Sequence, residues 1–143
     1  MIKRIVFVVL ICFGFFSCNS EKKEEKKELV FDMYEPSEMS LLMNEMYEIN
    51  ERIKKDIIDG KTPEDFPLEF LKIHTAEMSE FKHRNETFES FSKLFVEKQQ
   101  DIFETDTNDE AKKRFNQAIN LCISCHKTEC TGPIPRIQKL LIK

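Results

Sequence analysis

Apolar residues recur at three- and four-residue intervals through most of the chain after residue 36, with polar residues between them. This spacing is typical of amphipathic α-helices. The first predicted helix covers residues 37–59, where Pro36 precedes the helix and Gly60 ends it. Its apolar stripe consists of Met39, Leu42, Met43, Met46, Ile49, Ile53 and Ile57.

Three shorter apolar patterns follow the first helix. The second segment starts irregularly because Pro63 and Pro67 lack a backbone N–H. Asn85 is expected to cap a third helix, and Thr107 with Glu110 forms a capping box for a fourth. The three apolar sets are Leu68, Phe70, Leu71 and Ile73; then Phe88, Phe91, Phe95, Ile102 and Phe103; then Phe115, Ile119, Cys122 and His126.

No stretch alternates for long in the manner of a strand. The sequence therefore predicts an all-α fold, and four helices with short connections most simply form an up-down-up-down bundle. In that arrangement the start of helix one lies beside the end of helix four. Ile137, Leu140 and Leu141 are expected to pack back on the bundle from the tail.

The beginning of the chain has the layout of a secretory signal. Lys3 and Arg4 precede an apolar run over residues 5–16, which is too short to span a bilayer comfortably. The run ends in Phe15-Phe16-Ser17-Cys18, which resembles the lipobox of bacterial lipoproteins. This resemblance implies lipidation of Cys18 after cleavage of residues 1–17, and a plain cleaved signal is the alternative.

Residues 19–28 contain charged and polar side chains without an apolar one, so residues 18–36 are predicted to be a lipidated cysteine with a solvated tether. Residues 37–143 form the predicted folded domain. We expect an exported lipoprotein, anchored in a membrane through Cys18, on the periplasmic side or the cell surface of a diderm bacterium.

The net charge of the chain narrows the classes of partner that we expect it to bind. The formal net charge of the 143 residues is −4, and removal of Lys3 and Arg4 leaves 20 basic against 26 acidic residues, a charge of −6. A mildly acidic domain argues against nucleic acid as a partner.

Cys122 and Cys125, followed directly by His126, have the spacing that attaches a c-type haem. Positions i, i+3 and i+4 share one helix face, so the three side chains can address one flat group. The two thiols would form thioethers, and the imidazole would be the proximal iron ligand. We therefore expect one covalent haem c.

Two other interpretations of these cysteines remain open. A redox dithiol would use Cys122 and Cys125 alone, although such pairs normally stand at a helix start. A zinc site could recruit Cys122, Cys125, His126 and Cys130. Cys130 otherwise has no assigned role.

The predicted topology places His126 near the methionines that open helix one. A thioether sulfur is a good sixth ligand for haem iron, so Met43 is the first candidate and Met46 and Met39 are substitutes. A five-coordinate iron with an apolar distal pocket, or ligation by His74, is the alternative. Arg136 could reach a haem propionate.

With these residues the chain resembles the class II c-type cytochromes and cytochrome c prime, over about residues 37–128. The resemblance implies thioethers at Cys122 and Cys125, and His126 as proximal ligand of a haem in a four-helix bundle. The related soluble b-type bundle cytochromes pair a methionine of helix one with a histidine of helix four.

The expected function is electron transfer by Fe(III)/Fe(II) cycling, with redox proteins as partners and without enzymatic activity. A five-coordinate haem protein that binds NO or CO is the alternative, and a zinc-binding lipoprotein is a further one. A peroxidase-like enzyme would need a distal acid–base pair, and no His–Arg arrangement suggests one.

Overall fold

The computed structural model describes residues 35–63, 65–104 and 107–143, and every regular element within these ranges is helical. The all-α prediction is therefore confirmed. The elements in chain order are α1 (Glu38–Ile58), a 3₁₀ helix (Leu68–His74), α2 (Glu86–Phe103), α3 (Asn108–Glu129), α4 (Ile134–Ile137) and a 3₁₀ turn (Gln138–Leu140).

The predicted signal peptide (residues 1–17) and the lipidation site at Cys18 lie outside the described residues, as does most of the tether (residues 18–36). These three assignments stay predictions. Among the helices that the structure does describe, none is both long enough and apolar enough to cross a bilayer.

Each long helix begins at a residue whose side-chain oxygen accepts a hydrogen bond from an N–H of the first turn. The caps are Ser37 with the N–H of Ser40 (3.3 Å), Asn85 with that of Phe88 (2.7 Å), and Thr107 with that of Glu110 (3.3 Å). Such caps satisfy N–H groups that have no partner within the helix. Gly60 follows α1 with φ of +78°, a conformation that glycine adopts without steric cost. The predicted helix ends are confirmed here.

The second helical segment is a seven-residue 3₁₀ helix. Pro67 is its N-cap and cannot continue a hydrogen-bonded turn in the N-terminal direction, because proline lacks the N–H. At the other end, the Arg84 guanidinium donates to the carbonyl oxygens of Ile73 (2.8 Å) and Ala76. Phe70 is fully buried, whereas Leu68 is 70% exposed, so this element has a single inward face.

Hydrogen bonds at both ends fix the directions of the long helices. Arg114 of α3 donates to the carbonyl of Asp101 near the end of α2 (2.8 Å), and Asn85 at the start of α2 donates to Glu129 at the end of α3 (3.4 Å). Helices α2 and α3 are therefore antiparallel.

Helix α1 also runs antiparallel to α3. The Asn108 side chain, at the start of α3, donates to the carbonyl oxygen of Ile57 at the end of α1 (2.9 Å). At the other end, the carbonyl oxygen of Glu129 in the last turn of α3 accepts from Lys82, and the segment around Lys82 also contacts the start of α1, so these two ends lie together as well. Helices α1 and α2, both antiparallel to α3, run in the same direction.

The connection between α1 and α2 returns along the length of α1. Near its end, the carbonyl oxygen of Glu77 accepts from the N–H of Met39 (2.9 Å), and Ser79 Oγ lies 3.1 Å from Ser37 Oγ. The chain thus travels back to the start of α1 before α2 begins. Residues 59–85, with the 3₁₀ helix, occupy the place in the chain order where the sequence pattern predicts a second helix.

Most of the apolar positions predicted from the sequence form the core, but Leu68 and Leu71 of the second set are 70% and 41% exposed. Phe70, Ile102, Phe115 and Ile119 are fully buried, and Phe95 packs against Phe70 with 5.4 Å between ring centroids. The tail behaves as expected as well, since Ile137 and Leu140 are buried. Burial of side chains of this size stabilises the fold by about 1.5–3 kcal/mol each.

A buried amide pair connects α1 to α2 inside this core. Gln99 Nε2 donates to Asn50 Oδ1 (3.1 Å), and Asn50 Nδ2 donates to the carbonyl oxygen of Met46 (2.8 Å). Gln99 is fully buried, and its Oε1 has no hydrogen-bond partner among the described residues. The apolar pattern alone did not indicate these polar core positions.

The C-terminal segment, residues 130–143, is held to two long helices through its backbone. The Asn116 side chain of α3 accepts from the N–H of Ile142 and donates to its carbonyl oxygen, both at 2.8 Å. Lys54 of α1 donates to the carbonyl oxygens of Lys139 (2.7 Å) and Leu141 (3.3 Å). These bonds keep the segment against the bundle.

The paired hydrogen bonds of Asn116 give the first prediction. Asn116→Ala removes both bonds to Ile142, and each is worth about 0.5–1.5 kcal/mol net, so the free energy of unfolding should fall by about 1–3 kcal/mol. Urea denaturation followed by helical circular dichroism measures this change.

Asn120→Ala is the matched control, because Asn120 is an exposed residue of α3 whose side chain makes no hydrogen bond in the described structure. Its effect should stay within about 0.5 kcal/mol. Equal free energies of unfolding for the two variants would contradict the assigned role of Asn116.

Candidate functional site

A cavity of about 430 Å³ lies between α1, α2, α3 and the C-terminal segment. Its size falls within the range of about 300–1,000 Å³ that is typical of small-molecule sites. Most of its wall is apolar, formed by Met43, Met46, Ile73, Phe88, Phe91, Phe95, Leu121, Cys122, Pro133, Ile137 and Leu140.

The last turns of α3 bring Cys122, Cys125 and His126 to this cavity. All three line its wall, and all three are half-buried. They share the wall because their spacing of i, i+3 and i+4 places them on one side of α3. Phe115 and Ile119, fully buried on the same stripe, press that side of α3 against the bundle.

His126 is oriented by the residue that ends its helix. His126 Nδ1 lies 2.9 Å from the carbonyl oxygen of Cys130, and the N–H of Cys130 donates to the carbonyl oxygen of His126 (3.0 Å). A carbonyl oxygen only accepts, so Nδ1 carries the proton in this contact, and in the neutral ring Nε2 is the nitrogen with the free lone pair. Histidines that ligate metals are commonly held in this manner.

The contact also places Cys130. Its backbone touches the site through the His126 ring, whereas its side chain is exposed and does not line the cavity. The sequence left this residue without a role, since a backbone interaction leaves no trace in residue type.

Both cavity thiols are protonated at neutral pH. Burial, with a smaller contribution from Cys125, raises the pKa of Cys122 to about 12. Burial, followed by the charge of Glu129, raises the pKa of Cys125 to about 11. A redox dithiol depends on a lowered thiol pKa, so these surroundings disfavour that interpretation.

A zinc site also lacks support. The described ranges contain no group of three or more His, Cys, Asp or Glu side chains arranged to hold a metal ion. Cys130, the fourth ligand that zinc would need, is exposed and does not line the cavity. Tetrahedral zinc requires its ligands to converge on one point.

The structure separates the candidates for a second axial ligand. Met43, which is half-buried, and Met46, which is 5% exposed, both line the cavity. Met39 is buried in the core and does not line it. His74 is also absent from the wall, and its Nδ1 lies 3.4 Å from Ser92 Oγ.

Several polar residues of the wall were not found by sequence reasoning. Asn44, Tyr47 and Asn50 of α1 line the cavity together with Met43. Met43, Tyr47 and Asn50 have the spacing i, i+4 and i+7, so helical periodicity could have indicated that they share a face. Arg136, which the sequence did suggest, lines the same wall from α4, and its guanidinium carbon lies 3.9 Å from the centroid of the Tyr47 ring.

The residues of this cavity fit a covalently attached haem. Two thiols, one imidazole with a free Nε2 and two thioether sulfurs line a wall that is otherwise largely apolar. These are the donor types by which c-type haem is attached and its iron ligated.

Comparisons of the chain with protein-family models, with curated proteins and with solved structures find no match.

Proposed function

We propose that this chain is a monohaem c-type cytochrome that transfers electrons. The observation that carries the proposal is the shared cavity of Cys122, Cys125 and His126 with two methionines of α1. A bound haem would supply one-electron Fe(III)/Fe(II) cycling. The residues of the chain attach it, ligate it and surround it.

Cys122 and Cys125 are the proposed thioether positions. They lie one helical turn apart on α3, and both face the cavity in a half-buried environment. A covalent attachment at two points restricts the rotation of the bound group, which lets a single imidazole from the same helix meet the iron.

His126 is the proposed proximal ligand. The hydrogen bond from Nδ1 to the Cys130 carbonyl fixes the tautomer and the ring orientation, and it makes Nε2 a better electron donor. The same bond limits rotation of the ring about its bond to the helix. The imidazole is thus prepared for ligation before any group binds.

Met43 is the proposed ligand on the other side of the iron. It lines the cavity and is only half-buried, so its thioether can move toward a bound group, whereas Met46 is nearly fully packed in the core. A His–Met pair raises the reduction potential and suits electron transfer. Met46 is the substitute on the same face.

The proposed architecture is an up-down-up-down arrangement in which residues 59–85 take the second position. The haem would lie between the first and the fourth of these elements, α1 and α3. Support comes from the antiparallel directions of α1 and α3 and from the position of the cavity between them.

The proposed location is the outer side of a membrane, with the chain anchored through a lipid on Cys18 and tethered by the charged residues that follow. The sequence pattern of residues 1–36 supports this part. Redox proteins within reach of the tether would be the partners, and such encounters bury little surface.

Haem attachment gives the second prediction. The full chain, produced with haem-attachment machinery, should carry one covalent haem, detected by a pyridine haemochrome spectrum and by intact mass. The double variant Cys122→Ala with Cys125→Ala should lose the covalent haem, because neither thioether can form.

Cys130→Ala is the matched control, since this exposed thiol does not line the cavity, and it should keep the full haem content. Purified wild-type chain that contains zinc and no haem would overturn the proposed function. Attachment that persists in the double variant would overturn the assignment of the cysteines.

The distal ligand gives the third prediction. Reduced wild-type protein should be low-spin and should not bind carbon monoxide, because the Met43 thioether occupies the sixth position. Met43→Ala should bind carbon monoxide, which absorption spectroscopy detects, and its reduction potential should fall because the thioether is lost.

Met46→Ala serves as the comparison, since it removes a neighbouring thioether from the same helix face. It should lose core stability, by about 2–5 kcal/mol, and still exclude carbon monoxide. The opposite behaviour of the two variants would assign Met46 as the ligand. Rapid carbon monoxide binding by the wild type would instead favour the five-coordinate protein that binds small gases.

A further inference from the structure

Arg136 is held in a fixed position by two residues of α1. Its guanidinium carbon lies 3.9 Å from the centroid of the Tyr47 ring, and Nη1 donates to Asn44 Oδ1 at 2.7 Å. Stacking on an aromatic ring and a hydrogen bond to an amide together restrict the plane of a guanidinium. This side chain is exposed at the surface, yet its charged group is oriented.

The charge of Arg136 has no anionic partner in the described structure. Both of its contacts, the amide oxygen and the aromatic ring, are neutral. The Glu51 carboxylate acts on the same tyrosine: burial and then Glu51 raise the pKa of Tyr47, whereas Arg136 lowers it. No carboxylate forms an ion pair with it within 4.0 Å among the described residues. An oriented cation without a counter-charge is a binding feature when it borders a cavity.

Arg136 does border the cavity that contains Cys122, Cys125 and His126. It is the single lysine or arginine among the described lining residues, and none of these residues is an aspartate or glutamate. The wall therefore has one permanent positive charge and no side chain that compensates it. A ligand with an acidic group would pair with that charge through charge-assisted hydrogen bonds.

We infer that Arg136, positioned by Tyr47 and Asn44, is a carboxylate-binding subsite of the cavity. This inference rests on the proposed function, because the carboxylate it assigns is a propionate of the haem attached at Cys122 and Cys125. Guanidinium suits this role, since its planar N–H groups match the two oxygens of a carboxylate. A free carboxylate from solution is the other ligand that Arg136 would bind in the same way.

The reduction potential of the haem-loaded full chain tests the inference, measured over the neutral pH range at low ionic strength. A nearby cation keeps the propionic acid ionised, and its removal raises the carboxyl pKa. In Arg136→Gln, the pH at which the reduction potential changes should therefore be higher than in the wild type by about one pH unit or more. Added salt should shrink the difference between variant and wild type.

Two charge variants provide the controls. Lys139→Gln removes a cation from the same segment at a position outside the cavity wall, so its pH profile should match that of the wild type. Arg136→Lys keeps the charge and should recover most of the wild-type profile.

Asn44→Ala covers the case in which Arg136→Gln does not retain haem. It removes the hydrogen bond that orients the guanidinium and should raise the pH of that change by a smaller amount. Unchanged profiles in both Arg136→Gln and Asn44→Ala would overturn the inference, while the haemochrome spectrum reports on the proposed function separately.

Acetate added to the wild type at constant ionic strength distinguishes the two sources of carboxylate. No effect on the potential is expected, because the propionate already occupies Arg136. A potential that depends on acetate concentration in the wild type and not in Arg136→Gln would overturn the assignment to the propionate.

Discussion

The antiparallel packing of α1 against α3 is the constraint on which the candidate site depends. The Asn108 bond to the end of α1 fixes the direction at one end, and the buried side chains of Phe115 and Ile119 hold α3 against the core. The opposite end of the pair then brings the methionines of α1 and the last turns of α3 to one cavity. Reversal of either helix would separate the thioether from the imidazole by most of a helix length, which is about 30 Å for some twenty residues.

Much of the helical structure was predictable from local sequence patterns. The apolar stripes, the Asn85 and Thr107 caps and the left-handed Gly60 follow from helical periodicity and from the preferences of single residues. The 3₁₀ helix is less predictable from local sequence, because the carbonyl oxygen of Ile73 near its end accepts from Arg84, a residue outside the element. The stacking of Arg136 on Tyr47 joins residues far apart in the chain, so it depends on the tertiary fold that brings them together.

The C-terminal segment has more than a packing role. Because the Cys122–His126 motif stands at the end of α3, whatever follows must complete the cavity on that side. The Cys130 carbonyl orients the imidazole, Ile137 and Leu140 contribute apolar wall, and the cation of Arg136 faces the same space. Asn116 and Lys54 hold the segment by its backbone, so its side chains remain free for these contacts.

The composition of the cavity wall would affect the reduction potential of a bound redox group. A largely apolar surrounding makes an added positive charge costly, which favours the reduced state of a bound redox group over the oxidised one. A thioether from Met43 acts in the same direction, whereas a carboxylate acts against it. Arg136 would offset the charge of that carboxylate, because an ion pair has little net charge when viewed from a distance. With the pair nearly neutral, the iron ligands from α1 and α3 would dominate the reduction potential. Arg136 would then mainly orient the bound group.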